Sequence, residues 1–184
     1  MMSAPLTLVR IRRAGPEDAA LLASLAATTF TDTFAADNDP RDMAEYVAEA
    51  FGERVQRAEL QDPRNTVLLA RRGNDVVGYA MLREGHTPPC VAEHVAGETV
   101  EIARLYAVRA AIGSGVGGAL MQACLDECSV RGRAGLWLGV WERNARAIDF
   151  YRRWAFHDVG SQHFQLGRDI QTDRVMLRPA RLDR

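Results

Sequence analysis

Cysteine is scarce in this chain: Cys90, Cys124 and Cys128 are the three among 184 residues. An odd and small number excludes the disulfide framework that staples small secreted domains, and it points to a reducing, cytoplasmic setting. Cys124 and Cys128 stand one helical turn apart, but His86, His94, His157 and His163 offer no fitting spacing, so no metal site is expected. Charge of one sign is also lacking. Arginine and lysine number 23 against 24 acidic residues, a net charge of −1, which gives no positive field for nucleic acid. Long apolar runs are missing from the start of the chain. The stretch from Pro5 to Val9 is too short for a signal segment and meets Arg10, Arg12 and Arg13 at once, so neither export nor a membrane is expected. No repeat or low-complexity tract interrupts the sequence. With 47% hydrophobic and 26% charged residues, the chain reads as a single globular domain over 1–184.

What is present is a succession of short elements. Leu6, Leu8 and either Val9 or Ile11 predict a first strand, and Gly15-Pro16-Glu17-Asp18 predicts a turn into a helix with an acidic first turn. Leu21, Leu22, Leu25 and Ala26 share one face of that helix. Apolar residues at three- and four-residue spacing predict two further helices over 42–51 and 53–60. Strands over 66–70 and 76–82 follow, joined by the hairpin turn Arg72-Gly73-Asn74-Asp75. Residues 84–97 hold two prolines and two glycines without a period, and predict a loop at the edge of a site. From Glu98 the order is strand 100–108, a glycine-rich turn, helix 115–130, strand 136–141 and helix 145–154. A hairpin of 156–166 with 174–177 closes the chain. Such an order predicts an α/β (α+β) domain with a mixed sheet.

Gly113-Ser114-Gly115-Val116-Gly117-Gly118 places four glycines in six residues between a strand and a helix. Small residues there let backbone N–H groups approach an anion, and a helix N-terminus adds to the attraction, so the turn points to phosphate. A turn that serves packing alone needs fewer glycines. Gly113, Gly115 and Gly118 also satisfy G-x-G-x-x-G, and Glu142 ends the next strand where a ribose-binding acid would stand. Against that second reading, residues 109–112 separate the strand from the first glycine, and too little chain follows for a doubly wound half. An NAD-type oxidoreductase is accordingly the alternative.

Read as Ile112-x-x-Gly115-x-Gly117, the turn resembles motif A of the GNAT acetyltransferases. The helix Asn144-Ala145-Arg146-Ala147-Ile148-Asp149-Phe150-Tyr151 resembles that family's Asn-x-x-Ala-x-x-Phe-Tyr pattern. Two positions depart from it: Ile112 stands where Gln or Arg is usual, and Ala155 where glycine precedes phenylalanine. The segments 29–34, 137–142 and 171–173 are further similar to the bacterial PaiA-type polyamine acetyltransferases. The resemblance implies the GNAT fold: a mixed, twisted sheet of about six to seven strands, helices on both faces, and a splay between the central parallel strands. It also implies a homodimer.

Acetyl-CoA is the cosubstrate that the resemblance implies. Leu105, Tyr106, Ala107 and Val108 would follow its pantetheine arm, and Ile112, Gly113, Ser114, Gly115, Val116, Gly117 and Gly118 would surround its pyrophosphate, with Asn144 and Tyr151 also in contact. Direct attack of a primary amine on the thioester needs a base, an oxyanion donor and an acid. Tyr151 is the expected acid. Glu101, alternating with Ala103, Leu105 and Ala107, is the expected base, with Glu142 as second choice. Asp32, Asp37 and Glu142 with Phe30, Phe34 and Trp141 predict a groove in which carboxylates pair with amine nitrogens and rings cover methylenes, as for spermidine. Core packing is the competing account of each aromatic, and a catalytically silent acyl-CoA-binding module is the remaining alternative.

Overall fold

The computed structural model describes residues 8–180, so the part of the first strand expected at Leu6 lies outside them. Seven strands form one sheet: β1 (Val9–Arg13), β2 (Asn65–Arg72), β3 (Asp75–Arg83), β4 (Val100–Ala107), β5 (Gly135–Trp141), β6 (His157–Leu166) and β7 (Asp169–Pro179). Their order is β1-β2-β3-β4-β5-β7-β6, and every neighbouring pair is antiparallel except β4 with β5. The helices are α1 (Ala19–Phe34), α2 (Pro40–Ala50), α3 (Glu53–Gln61), α4 (Pro89–Ala92), α5 (Val116–Val130) and α6 (Ala145–Arg153). A doubly wound nucleotide half requires a run of parallel strands; a sheet with one parallel pair removes the oxidoreductase alternative.

The period-two alternation of the strands sends successive residues to two cores. Leu68, Ala70, Ala80 and Leu82 pack with Leu120, Met121 and Cys124 of α5 and Ile148 of α6. Val67, Leu69, Tyr79 and Met81 face the other way, against Leu22, Leu25 and Phe30 of α1 and Met43 of α2. The stretch Pro16–Asp37 is long and apolar enough to cross a membrane, but its Leu22, Ala26 and Phe30 are buried in this second core. Asp18 secures the start of α1: its carboxylate accepts from Arg12 at 2.7 and 2.8 Å and from the Gly15 N–H at 2.9 Å. Cys124 and Cys128 are buried packing thiols of α5, with burial pushing Cys124 up to about 12.

Three local differences from the sequence expectation have physical causes. Residues 89–92 form a helical turn where a loop was expected, opened by two prolines and held by Val91 against Trp137 and Leu177. β7 runs well beyond 174–177 because it is paired on both sides, with β5 and with β6. Within β4, Met81 pairs with Arg104 and Leu82 with Ile102, so Ala103 is an extra, bulged residue. That bulge breaks the expected alternation. Leu105 and Ala107 join Val100 and Ile102 toward α5, whereas Ala103 and Tyr106 face α1, the side to which Glu101 also points.

Candidate active site

Parallel strands β4 and β5 pair only at Val100 with Leu136 and at Glu101 with Trp137, after which they diverge. The β5-facing backbone edge of β4 therefore has no strand partner from Ile102 onward. The opening is a cavity of about 340 Å³. Glu101, Leu105 and Tyr106 line it from β4, Gly139, Val140 and Trp141 from β5, Tyr151 from α6 and Asn144 from the cap of that helix. Phe30, Phe34, Tyr46 and Phe164 add aromatic rings to its lining, and Asp173 of β7 stands in its wall.

Beyond the open edge, the chain turns through Arg109–Ala111 and enters α5. Gly113 and Gly115 have φ of 79° and 90°, the left-handed region in which a side chain is strained. Gly115 caps α5 without a side-chain acceptor, so the N–H groups of Val116, Gly117 and Gly118 open the helix without intrahelical partners. Ser114 is tied down: its hydroxyl donates to the Ala111 carbonyl at 2.6 Å and accepts from Arg72 at 2.8 Å. Ile112 is half exposed, and only its backbone takes part in the turn. A Cβ added at Gly117 would meet Phe150 of α6, and one at Gly118 would meet Trp154 just after it, at ordinary contact distance.

Tyr151 is buried at the end of α6 and held by the helix terminus itself. Asn144 caps the start, its side-chain oxygen accepting from the Ala147 N–H at 3.2 Å. At the other end, the Phe156 N–H donates to the Tyr151 carbonyl and the Ala155 N–H to that of Arg152, the paired pattern of a Schellman turn. The rings of Tyr151 and Phe156 meet at 5.7 Å, the apolar contact that accompanies such a turn. Ala155 sits at φ 61°, the one non-glycine with positive φ among the described residues, at the position where glycine was noted as missing. Burial pushes the Tyr151 phenol well above its ordinary range, with Cys124 adding to the shift, so it stays protonated.

The charged groups of the cavity are Glu101, Arg83, Arg104 and Asp173. Burial raises the Glu101 carboxyl, against the opposing pull of Arg83, His86 and Arg104. Arg83 lies 3.8 Å from Glu101 and 3.7 Å from Glu59. Arg104 is clasped by Glu59 at 2.7 and 3.0 Å and lies over the Phe51 ring. Asp173 is buried with nothing but burial acting on it, which lifts it to about 6. Gly139 makes room for it: an added Cβ there would stand 3.1 Å from Asp173 Oδ2 and would collide with Gln162 Nε2.

Of the expected groove, Phe30, Phe34 and Trp141 are brought together, with the Phe34 and Trp141 rings 6.0 Å apart. Its expected carboxylates are not. Asp32, Asp37 and Glu142 are exposed and lie outside the cavity wall, Asp32 because its turn of α1 faces solvent. Asp173 supplies the negative charge instead. It belongs to a segment singled out by resemblance, but only the β5–β7 pairing brings it opposite Trp141.

The profile of the acetyltransferase (GNAT) family matches residues 27–156. An uncharacterized N-acetyltransferase of Mycobacterium bovis is 34% identical over 161 residues, covering 88% of this chain and 97% of the relative. Among solved structures, the PaiA N-acetyltransferase of Thermoplasma acidophilum in complex with coenzyme A is similar, with a TM-score of 0.74 at 16% identity over 94% of this chain and 99% of that one. The yncA protein of Salmonella typhimurium, solved with its cofactor acetyl-CoA, matches with a TM-score of 0.62 at 21% identity over 94% of each chain. Structures this distant bear on the fold alone, whereas the profile and the mycobacterial relative span most of the sequence, and by them the chain belongs to the acetyltransferase (GNAT) family.

Proposed function

We propose that the protein transfers the acetyl group of acetyl-CoA to a primary amine by direct attack on the thioester. The observation that carries this reading is the open edge of β4, which meets the partnerless N–H groups of the α5 turn at one end and the buried Tyr151 across the cavity. A strand-like pantetheine arm fits the edge between residues 105 and 108, and a pyrophosphate fits the turn of residues 112–118, with Asn144 alongside. Glu101 takes the proton of the acceptor ammonium as the nitrogen attacks the carbonyl carbon. An N–H of the 105–108 stretch polarises the carbonyl oxygen. Tyr151 gives its proton to the departing sulfur and is reprotonated through solvent, which also takes up the second proton that the tetrahedral nitrogen sheds. The elevated Glu101 carboxyl suits this work, since a stronger base draws a proton from an ammonium more readily.

The acceptor proposed is a polyamine such as spermidine. Aromatic rings line the cavity and two carboxylates, Glu101 and Asp173, enter it, a combination that takes a cationic chain with apolar spacers. Thiol release from acetyl-CoA, followed against polyamines, amino acids, aminoglycosides and peptides, is the test. Amine-dependent release is expected. Binding of acetyl-CoA without transfer to any amine would replace the enzyme reading by that of a silent acyl-CoA-binding module.

A further inference from the structure

We infer that Asp173 determines acceptor choice: its carboxylate holds a cationic nitrogen of the acceptor other than the one that is acetylated. This rests on the proposed transfer, in which Glu101 serves the reacting nitrogen.

Asp173 is 8% exposed and lines the cavity, and among the described residues no cation or donor pairs with it. The other charged lining groups are matched, Arg104 by Glu59 and Arg83 by Glu59 and Glu101. A buried carboxylate without a counter-charge is strongly unfavourable, so the missing partner is a cation that arrives from outside. The surroundings define its chemistry. Phe34, Trp141 and Phe164 line the same space, and ring faces attract an ammonium while covering methylene groups. The absence of a side chain at Gly139 leaves the Gln162 amide and the Asp173 carboxylate the space above β5, so that the carboxylate reaches the cavity.

Register fixes the span. Glu101 is opposite Trp137 of β5 and Asp173 is opposite Trp141 of the same strand. Those two positions are four residues apart, about 13 Å at the rise of a strand. The carboxylates thus enter from separate levels of the cavity, as a linear chain with two nitrogens several methylenes apart requires.

The experiment compares diaminobutane with butylamine as acceptors for the wild type and for Asp173→Asn, which keeps the side-chain shape. The wild type is expected to favour the diamine, and the variant to lose roughly tenfold or more of that kcat/KM ratio, through KM rather than kcat. An unchanged ratio overturns the assignment. Gly139→Ala, whose methyl group would push against Gln162 and crowd the Asp173 carboxylate, is the second variant and should lower the ratio as well. If no amine is acetylated, the proposed transfer fails, and calorimetric titration with the bis-trimethylammonium analogue of diaminobutane, which cannot be acetylated, judges Asp173 separately. Roughly tenfold weaker binding by Asp173→Asn supports the site; equal binding by both proteins, or none by the wild type, overturns it.

Discussion

Tyr151, Ala155 and Asp173 each carry a consequence at the scale of a single side chain. Tyr151→Phe keeps the ring against Phe156 and removes the proton donor, so kcat should fall on the order of 10²-fold with acetyl-CoA affinity retained, as steady-state kinetics and calorimetry would show. Ala155 pays for its left-handed backbone with strain. Ala155→Gly should relieve it, less what glycine adds to unfolded-chain entropy, and raise stability by about 0.5–1 kcal/mol in denaturant titration. Asp173 is raised by burial from its ordinary 3.8 to about 6. The folded chain therefore binds this proton more tightly than the unfolded one. Its stabilising contribution is complete below pH 3.8 and is lost as pH rises through about 6, at most on the order of 3 kcal/mol. Asp173→Asn should abolish that slope in thermal melts across pH 4–7, and at pH 7 the variant should melt at or above the wild type. Tyr151 and Asn144 could be located from sequence because both belong to one local motif, residues 144–151, and the cavity wall holds both. Asp173 could not be, since its place in the site depends on a pairing with β5 more than thirty residues away.

At the scale of elements, the glycine turn and the bulge of β4 teach opposite lessons. The turn is written in the sequence, since glycines at positions that need positive φ leave a compositional mark. Gly115→Asp would put a side chain on a backbone at φ 90° and a negative charge beside the unpaired N–H groups, and should abolish acetyl-CoA binding in a calorimetric titration. The bulge leaves no such mark. Ala103 looks like any strand residue, and only the pairing of Met81 with Arg104 and of Leu82 with Ile102 shows that the face has switched. For that reason Glu101 could be placed on a strand from sequence, but not the neighbours it shares a face with. Elements whose cores alternate regularly, such as β2, were legible to within a few residues. The turn 89–92 was hidden because one buried residue, Val91, anchors it.

For the whole molecule, the order of the elements from Glu98 onward was readable, and with it the mixed sheet, whereas the lining of the expected groove was not. Three of its expected carboxylates sit on the surface, because a helix turn facing solvent and one facing a cavity share the same composition. If acetyl-CoA binds as proposed, a concentration one hundred times its Kd should stabilise the fold by about 2.7 kcal/mol and raise Tm measurably in differential scanning, while NADH should leave it unmoved. The divergence of β4 from β5 has a further consequence. A sheet that parts in its middle carries two inward-facing strand edges, the kind of surface that other proteins cap, charge or twist away to prevent pairing with a stranger. Here the edge is recessed, and acetyl-CoA bound as proposed would complete the ladder along it. Amide hydrogen exchange along residues 102–107 should therefore be fast on the β5 side in the free protein and slow when acetyl-CoA is added, so that the cosubstrate acts as the eighth strand of a seven-stranded sheet.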